Sequence, residues 1–535
     1  MARAHREHGV VIGLARAAVR VVALALVSLA LLAALHPLRA QSITWTGANG
    51  RPTPQAVAVI AVLRDARSRG LRPDDYDASS LEARAAALAR GGDGADGDAA
   101  RTGFDDAMTR TVVRLLTHLH EGRVRPETQG FHLPETHNQI DFLALARGVS
   151  QASDARAAIA AVEPAYAGYA ALERALARYR ALADDPSLAS IELPARTLRA
   201  GDAYADAATL RRFLVALGDL PRARAVRGDS TYDGSLADGV RGFQRRHGLD
   251  TDGVIGPATR RQLRVPLGDR VRQMELTLER WRWLSDVPPD RYAVVNIPAF
   301  RLYVFDGDPT AAHPALRMNV IIGRAEARRL TPVFAGTMRE VVFRPYWDVP
   351  PSIARREEVP KIRRNPGYGE SQGFEIVSGG ESDARTYASN GSNLDRVSGG
   401  SLRLRQRPGA SNALGLVKFV FPNSYNVYMH GTPAQELFER TRRDFSHGCI
   451  RVEDPPALAA LVLRGQPGWD AAAIDRAMHG TRTLHVPIAR PLGVFVLYAT
   501  TVVGDDGTVY FYPDLYGRDA QLARALGMGT LTATR

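Results

Sequence analysis

The stretch Tyr425–Arg451, YNVYMHGTPAQELFERTRRDFSHGCIR, holds the only cysteine of the 535-residue chain, Cys449. This cysteine ends the run SHGC at 446–449, and a second His-Gly pair lies upstream at 430–431. A lone cysteine cannot form an internal disulfide, so it is either a buried small hydrophobe or a reactive thiol. The histidines and glycines around it favour the reactive thiol.

Cysteine chemistry requires a thiolate, and the usual thiol pKa of about 8.5 leaves most of the group protonated at neutral pH. A histidine within hydrogen-bond reach can take that proton and return one to a leaving amine, and His430 and His447 are the two candidates. Attack on a carbonyl creates an oxyanion, for which the backbone N–H groups of Gly448 and Cys449 are the natural donors. Asp454 before a proline predicts a helix start, which places Cys449 on a loop between a strand and a helix.

Three other interpretations of this stretch compete. Cys449 is a buried hydrophobe in the first, a common fate of free cysteine. In the second, His430, His447 and Cys449 bind zinc, although no fourth ligand is evident. The third is an inactive domain that only binds.

Composition indicates an exported globular protein. Basic residues exceed acidic ones by 12, and all but Lys361 and Lys418 are arginine, which reflects either coding bias or attraction to an anionic envelope polymer. No Lys/Arg-rich run of the nucleic-acid-binding type is present, so nucleic acid is not an expected partner. Residues 1–40 predict a signal peptide or an uncleaved N-terminal anchor, the latter being the only expected membrane contact. We therefore expect a periplasmic or cell-envelope location.

The first half of the mature chain is predicted to be helical. A helical scaffold domain is expected over 50–204, with helices over 52–90, Phe104–His120 and 151–183, and an acidic loop at 91–97. No chemistry is visible in this part of the chain.

A compact module follows at 205–266. Its run FQRRHGLDTDGVIGPAT, residues 243–259, is similar to the peptidoglycan-binding domain 1 family, a small three-helix module. This resemblance implies that the module contacts glycan strands. A linker helix is expected at 267–290.

The remaining chain is predicted to be rich in strands, which makes the whole an α+β protein. A catalytic domain is expected over 291–488, with a polar, glycine-rich, lid-like insertion at about 350–400. Residues 489–535 should complete the fold with strands and a helix. Asp506-Gly507 predicts a hairpin that joins a strand at Val494–Tyr498 to one at Val509–Phe511.

The spacing of the cysteine motif resembles the L,D-transpeptidase catalytic domain, the YkuD family. A histidine, a gap of 15 residues, SHGC, an apolar residue and an arginine follow one another from His430 to Arg451. PYWDVPPSI at 345–353 and PGASNALG at 408–415 resemble the larger subgroup found in Gram-negative envelopes. That subgroup joins a helical scaffold, a peptidoglycan-binding module and a catalytic domain.

The resemblance implies a role for each matching residue. Cys449 matches the nucleophile and His430 the general base and acid. The expected pocket and oxyanion residues are Ser446, His447 and Gly448. The expected substrate contacts are Tyr428, Gly431 and Arg451, the last through a bidentate pair with a carboxylate. No metal and no organic cofactor is expected.

The implied reaction is acyl transfer on peptidoglycan tetrapeptide stems. Cys449 attacks the carbonyl at the L,D bond, releases D-Ala and passes the acyl group to an amine of a neighbouring stem, which forms a 3→3 cross-link. Carbapenems are expected to acylate the same thiol. The alternatives are the same chemistry with water, a D-amino acid or a lipoprotein lysine as acceptor, and a non-catalytic peptidoglycan-binding protein.

Overall fold

The computed structural model describes residues 43–91, 95–133, 140–222, 230–284, 290–307, 313–326, 329–380 and 383–529. The predicted signal or anchor at 1–40 lies outside these residues. The described chain forms two compact units, one drawn from 43–64, 76–116 and 141–159 and the other from 65–75, 117–140 and 160–529. Within the described ranges, no helix has the length and apolarity needed to cross a bilayer.

Helices run through both units. The α-helices are Pro54–Arg64, Ala78–Arg90, Ala95–His120, Phe142–Gln151, Ala155–Ala160, Ala167–Ala183, Ala207–Leu217, Gly234–Arg246, Pro257–Leu263, Leu267–Arg282, Pro351–Ile353, Val359–Arg364, Pro366–Ser371, Gly391–Ser398, Pro455–Val462, Ala471–His479 and Arg518–Ala525. The 3₁₀ turns are Ala66–Arg69, Pro73–Tyr76, Pro126–Gln129, Pro186–Leu188 and Gln435–Glu439, and Ala354–Glu358 is π-helical.

The first unit is helical, as predicted, and packs around Trp45. The Trp45 side chain is fully buried, and its indole N–H donates to Thr109 at 3.1 Å. One boundary was wrong, because the helix expected to start at Phe104 begins at Ala95. Alanines around 95–100 are strong helix formers, so the helix extends through Gly97 despite its cost of about 1 kcal/mol.

The larger unit is built around a mixed sheet, which confirms the α+β class. Its strands are β1 (Phe131–His132), β2 (Arg291–Asn296), β3 (Arg301–Asp306), β4 (Leu316–Gly323), β5 (Val333–Phe343), β10 (Val417–Val420), β11 (Met429–His430), β12 (Asp444–Ser446), β13 (Ile450–Val452) and β14 (Leu484–Leu497). The order is β1-β5-β10-β11-β13-β4-β3-β2-β14, with β12 on β4. β14 also pairs with β5, which closes the path on itself.

One face of the sheet packs into the main core, because side chains alternate along each strand. Met318, Val320 and Ile322 of β4 are buried in the main core, together with Met429 of β11 and Ile450 of β13. The intervening residues of these strands therefore point to the opposite face, which carries Asn319 of β4, His430 of β11 and Arg451 of β13.

The C-terminal hairpin differs from the prediction. β15 (Thr501–Val503) and β16 (Val509–Phe511) form a separate two-stranded sheet, whereas Val494 lies in β14 between β2 and β5. The reason is packing, since Phe511 belongs to the core of the peptidoglycan-binding module, with its ring 5.6 Å from that of His247.

The module consists of three helices, Ala207–Leu217, Gly234–Arg246 and Pro257–Leu263, in line with the expected three-helix fold. Gln244 is buried and its amide contacts Asp252 at 2.8 Å and the carbonyl of Val254 at 3.0 Å. These bonds hold the turn that carries the DG pair of the sequence pattern.

The segment expected to be a linker helix is instead a central element. The helix Leu267–Arg282 is buried on most of its surface. Glu279, with 0% exposure, accepts hydrogen bonds from the backbone N–H of Val124 and the guanidinium of Arg282. An exposed linker has no need of such buried ion pairs, so this helix is part of the core of the unit.

The lid-like insertion is a folded subdomain, larger than the predicted 350–400. Its strands are β6 (Trp347–Asp348), β7 (Phe374–Ser378), β8 (Arg385–Tyr387) and β9 (Arg403–Gln406), in the order β6-β9-β7-β8. Val349, Ile362, Ile376 and Leu404 contribute to its own apolar core. This core was not predicted, because the polar residues of the loops dominate the composition of the segment.

Candidate active site

Cys449 lies in a tight turn between β12 and β13. The prediction of a loop between a strand and a helix was therefore wrong, because the short strand β13 precedes the helix that begins at Pro455. The helix start itself is as predicted, since the Asp454 carboxylate accepts from the N–H of Ala457 at 3.0 Å. Ile450 and Val452 are fully buried, which explains the additional strand.

Strand register brings the predicted site residues together. β11 and β13 are parallel, with Met429 opposite Ile450 and His430 opposite Arg451. This register places Tyr428 beside Cys449, and the N–H of Ile450 donates to the carbonyl of Tyr428 at 3.1 Å. Because Met429 and Ile450 point into the core, Tyr428, His430, Cys449 and Arg451 share the opposite face.

Two hydroxyl groups brace the nucleophile turn. Ser446 Oγ donates to the carbonyl of Cys449 at 2.6 Å and accepts from the N–H of Gly448 at 3.1 Å. Thr331 Oγ1 donates to the carbonyl of Gly448 at 2.8 Å. Gly448 has φ of 123°, a conformation that favours glycine. The N–H of Gly448 thus already has an acceptor, which leaves the N–H of Cys449 as the better oxyanion donor.

His430 is held as a neutral imidazole. Its neighbours across the sheet are Lys418 on β10 and Arg451 on β13. Burial and the charge of Arg451 lower the pKa of His430 to about 3, with a further contribution from Lys418. Nδ1 lies 2.5 Å from the carbonyl oxygen of Gly431. A carbonyl only accepts, so Nδ1 carries the proton and Nε2 keeps its lone pair.

The thiol of Cys449 is also neutral at rest. Burial raises its pKa, although hydrogen bonds from the backbone and hydroxyl of Tyr428 and the charges of Lys418 and Arg451 oppose that rise. Sγ lies 3.8 Å from the carbonyl oxygen of Asn426, a residue with left-handed φ of 55°. His430 is the diagonal neighbour of the thiol on the same face, and no hydrogen bond joins the two side chains in the described structure.

Tyr428 contacts both the thiol of Cys449 and the ammonium group of Lys418. The ammonium of Lys418 lies 4.3 Å from the centroid of its ring, and the ring of His430 lies 5.6 Å away. Lys418 was not among the residues predicted from the sequence. The feature of the sequence that could have pointed to Lys418 is its residue type, since it is one of only two lysines in a chain otherwise rich in arginine.

The two remaining predicted substrate contacts differ in their surroundings. Arg451 has a buried Nε with no partner in the described part of the chain, and burial and the charge of Arg324 lower its pKa. Gly431 is packed, since an added Cβ would lie 3.1 Å from Pro455. Its carbonyl contacts His430, so the described contact of Gly431 orients the histidine. Direct substrate contact by either residue stays a prediction.

His447 points to the insertion. Its Nε2 lies 2.8 Å from Oε1 of Glu357, which also pairs with Arg329 at 2.8 Å. Burial alone would raise the pKa of Glu357, but its hydrogen bond to His447 and the positive charge of Arg329 lower it. Sequence reasoning missed Glu357 and Arg329, because nothing in the local pattern connects positions about a hundred residues apart. Within the described ranges, no cluster of three or more His, Cys, Asp or Glu residues is arranged to hold a metal.

Three family descriptions match separate parts of the chain. Residues 290–469 match the L,D-transpeptidase catalytic domain (YkuD), residues 204–263 match a "Putative peptidoglycan binding domain", and residues 30–176 match a "Scaffold domain". The resemblance to a YkuD catalytic domain with a peptidoglycan-binding domain 1 module is therefore confirmed, and with it the prediction of an enzymatic domain.

Two known proteins are similar to parts of the chain. A curated protein of Haemophilus influenzae (strain ATCC 51907 / DSM 11121 / KW20 / Rd), named "Putative L,D-transpeptidase", is 32% identical over 229 residues. This similarity spans 43% of the chain and 44% of that relative, less than half of either protein. The crystal structure of a fused Zn-dependent amidase/peptidase/peptidoglycan-binding domain-containing protein from Clostridium acetobutylicum ATCC 824 covers 57% of the chain and 100% of its own, at 14% identity. Its TM-score is 0.14, which is too low to support any argument about the fold.

Proposed function

We propose that the protein is an L,D-transpeptidase that forms 3→3 cross-links in peptidoglycan through a thioester on Cys449. The observation that carries the proposal is the common face of β11 and β13. There the lone thiol and a neutral imidazole lie as diagonal neighbours beside two cations.

The proposed reaction has two acyl-transfer steps. Nε2 of His430 takes the thiol proton while Sγ of Cys449 attacks the carbonyl at the L,D bond of a tetrapeptide stem. The C–N bond breaks, the proton passes to the departing D-Ala amine, and a thioester remains. An amine of a second stem then attacks the thioester and releases the thiolate, which recovers a proton through His430. The N–H of Cys449 stabilises each oxyanion.

The cations beside His430 fit an anionic substrate. Burial and the charges of Arg451 and Lys418 lower the pKa of His430 to about 3, so the imidazole is a weak base. A stem carboxylate bound to Lys418 or Arg451 would neutralise that charge and raise the pKa of His430. His430 is then a stronger base when a stem is in place.

The same proposal covers location and partners. Cross-linking of peptidoglycan requires export, so we place the protein in the periplasm, with the sequence at 1–40 as its signal or anchor. The three-helix module would hold glycan strands, while the catalytic domain takes tetrapeptide stems. No metal or organic cofactor takes part in the proposed steps.

Mass analysis of muropeptides tests the proposal. Purified protein incubated with tetrapeptide muropeptides should produce 3→3 dimers and free D-Ala, and the Cys449→Ala variant should produce neither. Persistence of the dimers in Cys449→Ala would overturn the assignment. Loss of D-Ala without dimers would identify water as the acceptor, and a product containing an added D-amino acid would identify exchange.

A further inference from the structure

The polar face that carries Cys449 continues beyond the active site. On β4, Ile321 is opposite Arg451 of β13, and Asn319 is opposite Arg301 of β3. Tyr303 of β3 is opposite Arg317 of β4. Since alternate residues share a face, Arg301, Arg317 and Tyr303 lie on the same face as Arg451.

A cavity of about 1200 Å³ covers this second part of the face. Its floor is formed by β2, β3 and β4, and its opposite wall by the peptidoglycan-binding module, including Arg245, Leu249 and Arg261. The module and the catalytic domain contact each other at its edge, where Thr441 donates a hydrogen bond to Asp250. The two parts of the larger unit thus enclose this space jointly.

The cavity holds arginines without carboxylate partners. Arg301, Arg317 and Arg443 line it, and none forms an ion pair in the described chain, whereas Arg442 beside them pairs with Asp444 at 2.6 Å. Glu439, Asp505 and Asp506 also belong to the lining, where arginines are more numerous. Like charges held together without counterions are unfavourable, and a bound anion removes that cost.

Arg443 shows the effect of this crowding. It is 8% exposed, and its guanidinium donates to the carbonyl of Phe300 at 3.1 Å and to Asn319 at 3.0 Å. Burial and the charge of Arg301 lower the pKa of Arg443 to about 10, despite the opposing charge of Glu453. Phe300 has left-handed φ of 52°, a strained conformation that the contact with Arg443 helps to hold.

Aromatic side chains line the same cavity. Tyr510 and Tyr512 flank Phe511, which faces the module core, so both tyrosines face the cavity. Their ring planes differ by 10° and their centroids are 6.4 Å apart. Flat aromatic surfaces beside cations suit a ligand that combines a sugar ring with carboxylates.

We propose that this cavity is a second peptidoglycan-binding site, which holds a disaccharide-peptide with its sugar against Tyr510 and Tyr512 and a carboxylate at Arg301 and Arg317. The proposal rests on the proposed function and adds a site to it. β13 is two strands from β3, roughly 10 Å across the sheet. The segment from Arg440 to Cys449 connects the cavity wall directly to the nucleophile. A glycan strand bound in the cavity could therefore present its peptide stem, or the stem of an adjacent glycan strand, to Cys449.

Calorimetric titration with two probes tests the site. The first probe is the disaccharide dipeptide N-acetylglucosaminyl-N-acetylmuramyl-L-Ala-D-Glu, which has sugar and carboxylates but lacks the terminal D-Ala that Cys449 is proposed to release. The second is tetra-N-acetylchitotetraose, which has no carboxylate. The double variant Arg301→Gln/Arg317→Gln should weaken binding of the dipeptide at least tenfold and change chitotetraose binding less than twofold. Retained chitotetraose binding shows that the variant is folded.

The control variant Arg476→Gln/Arg524→Gln removes the same net charge from exposed helix positions outside the cavity. It should bind both probes as the unmodified protein does. Equal dipeptide affinity in the cavity variant, or an equal loss in the control, would overturn the second site. Acylation of Cys449 in the unmodified protein is measured separately, so its failure would refute the proposed function and not this site.

Discussion

His430 and His447 each precede a glycine, yet only His447 has a carboxylate among its charged neighbours. His430 is 5% exposed and flanked by Lys418 and Arg451, whereas His447 is half-buried between the carboxylate of Glu357 and the guanidinium of Arg329. Burial and two cations favour a neutral imidazole at His430 that can accept a proton, and a carboxylate partner holds the ring of His447 to the insertion. Strand register, not the shared dipeptide, therefore distinguishes His430, the proposed base, from His447.

The largest expected effect separates the two histidines directly. His430→Ala should slow acylation of Cys449 by a carbapenem by about 10²- to 10⁴-fold, since it removes the proton acceptor on the face of the thiol. His447→Ala should slow it about tenfold or less, because that ring contacts the insertion. Time-resolved mass spectrometry of the intact protein measures both rates.

Binding to sacculi is the control for correct folding of the two histidine variants. Both variants should retain binding to sacculi, which the three-helix module is proposed to provide. If acylation survived in His430→Ala but disappeared in His447→Ala, the assignment of the base would have to be reversed.

The sequence predicted which residues meet at this site better than it predicted their surroundings. The spacing from His430 to Cys449, the three-helix module and the α+β class follow from local patterns. The charges that tune His430 do not, because Lys418 and Arg451 become neighbours only through the pairing of β10, β11 and β13. The prediction of the C-terminal hairpin was wrong because strand pairing again depends on distant residues. Asp506-Gly507 predicts a turn but not which strand precedes it.

The insertion shows a related limit. Its glycines and polar residues predict loops, while its core is assembled from apolar residues far apart in sequence, such as Val349 and Leu404. Glu357 is invisible as a partner of His447 until that core has positioned it. Composition thus predicted where the insertion lies, but its folded core depends on packing between residues distant in sequence.

A smaller effect is expected from the cation nearest to Tyr428. Lys418→Met keeps the length of the side chain and removes the charge that lowers the pKa values of both His430 and Cys449. Both pKa values should therefore rise, and the pH profile of Cys449 alkylation by iodoacetamide should shift to higher pH. At neutral pH the alkylation rate should fall several-fold, since less thiolate is present.

Lys361→Met provides the matched control, because Lys361 is the other lysine and pairs with Glu358 within the insertion. Its alkylation profile should coincide with that of the unmodified protein. If the alkylation profile of Lys418→Met moved to lower pH, the charge of Lys418 would not be what lowers the pKa of Cys449.

The smallest effect concerns Glu357, the partner of His447. The pKa of this carboxyl is lowered in the folded protein, so its ionised form stabilises the fold above its unfolded pKa, and that contribution is lost as pH falls through the lower folded value. Glu357→Gln should reduce the free energy of unfolding at pH 7 by about 1 kcal/mol or less, as for a partly exposed pair. The difference from the unmodified protein should vanish at pH values below the ordinary carboxyl range. Thermal unfolding across pH measures it, with Glu326→Gln, an exposed carboxylate 3.4 Å from Arg442, as the control that should show no such difference. A gap that persisted at acidic pH would mean that Glu357 acts through packing, and His447 would then lose the electrostatic partner that distinguishes it from His430.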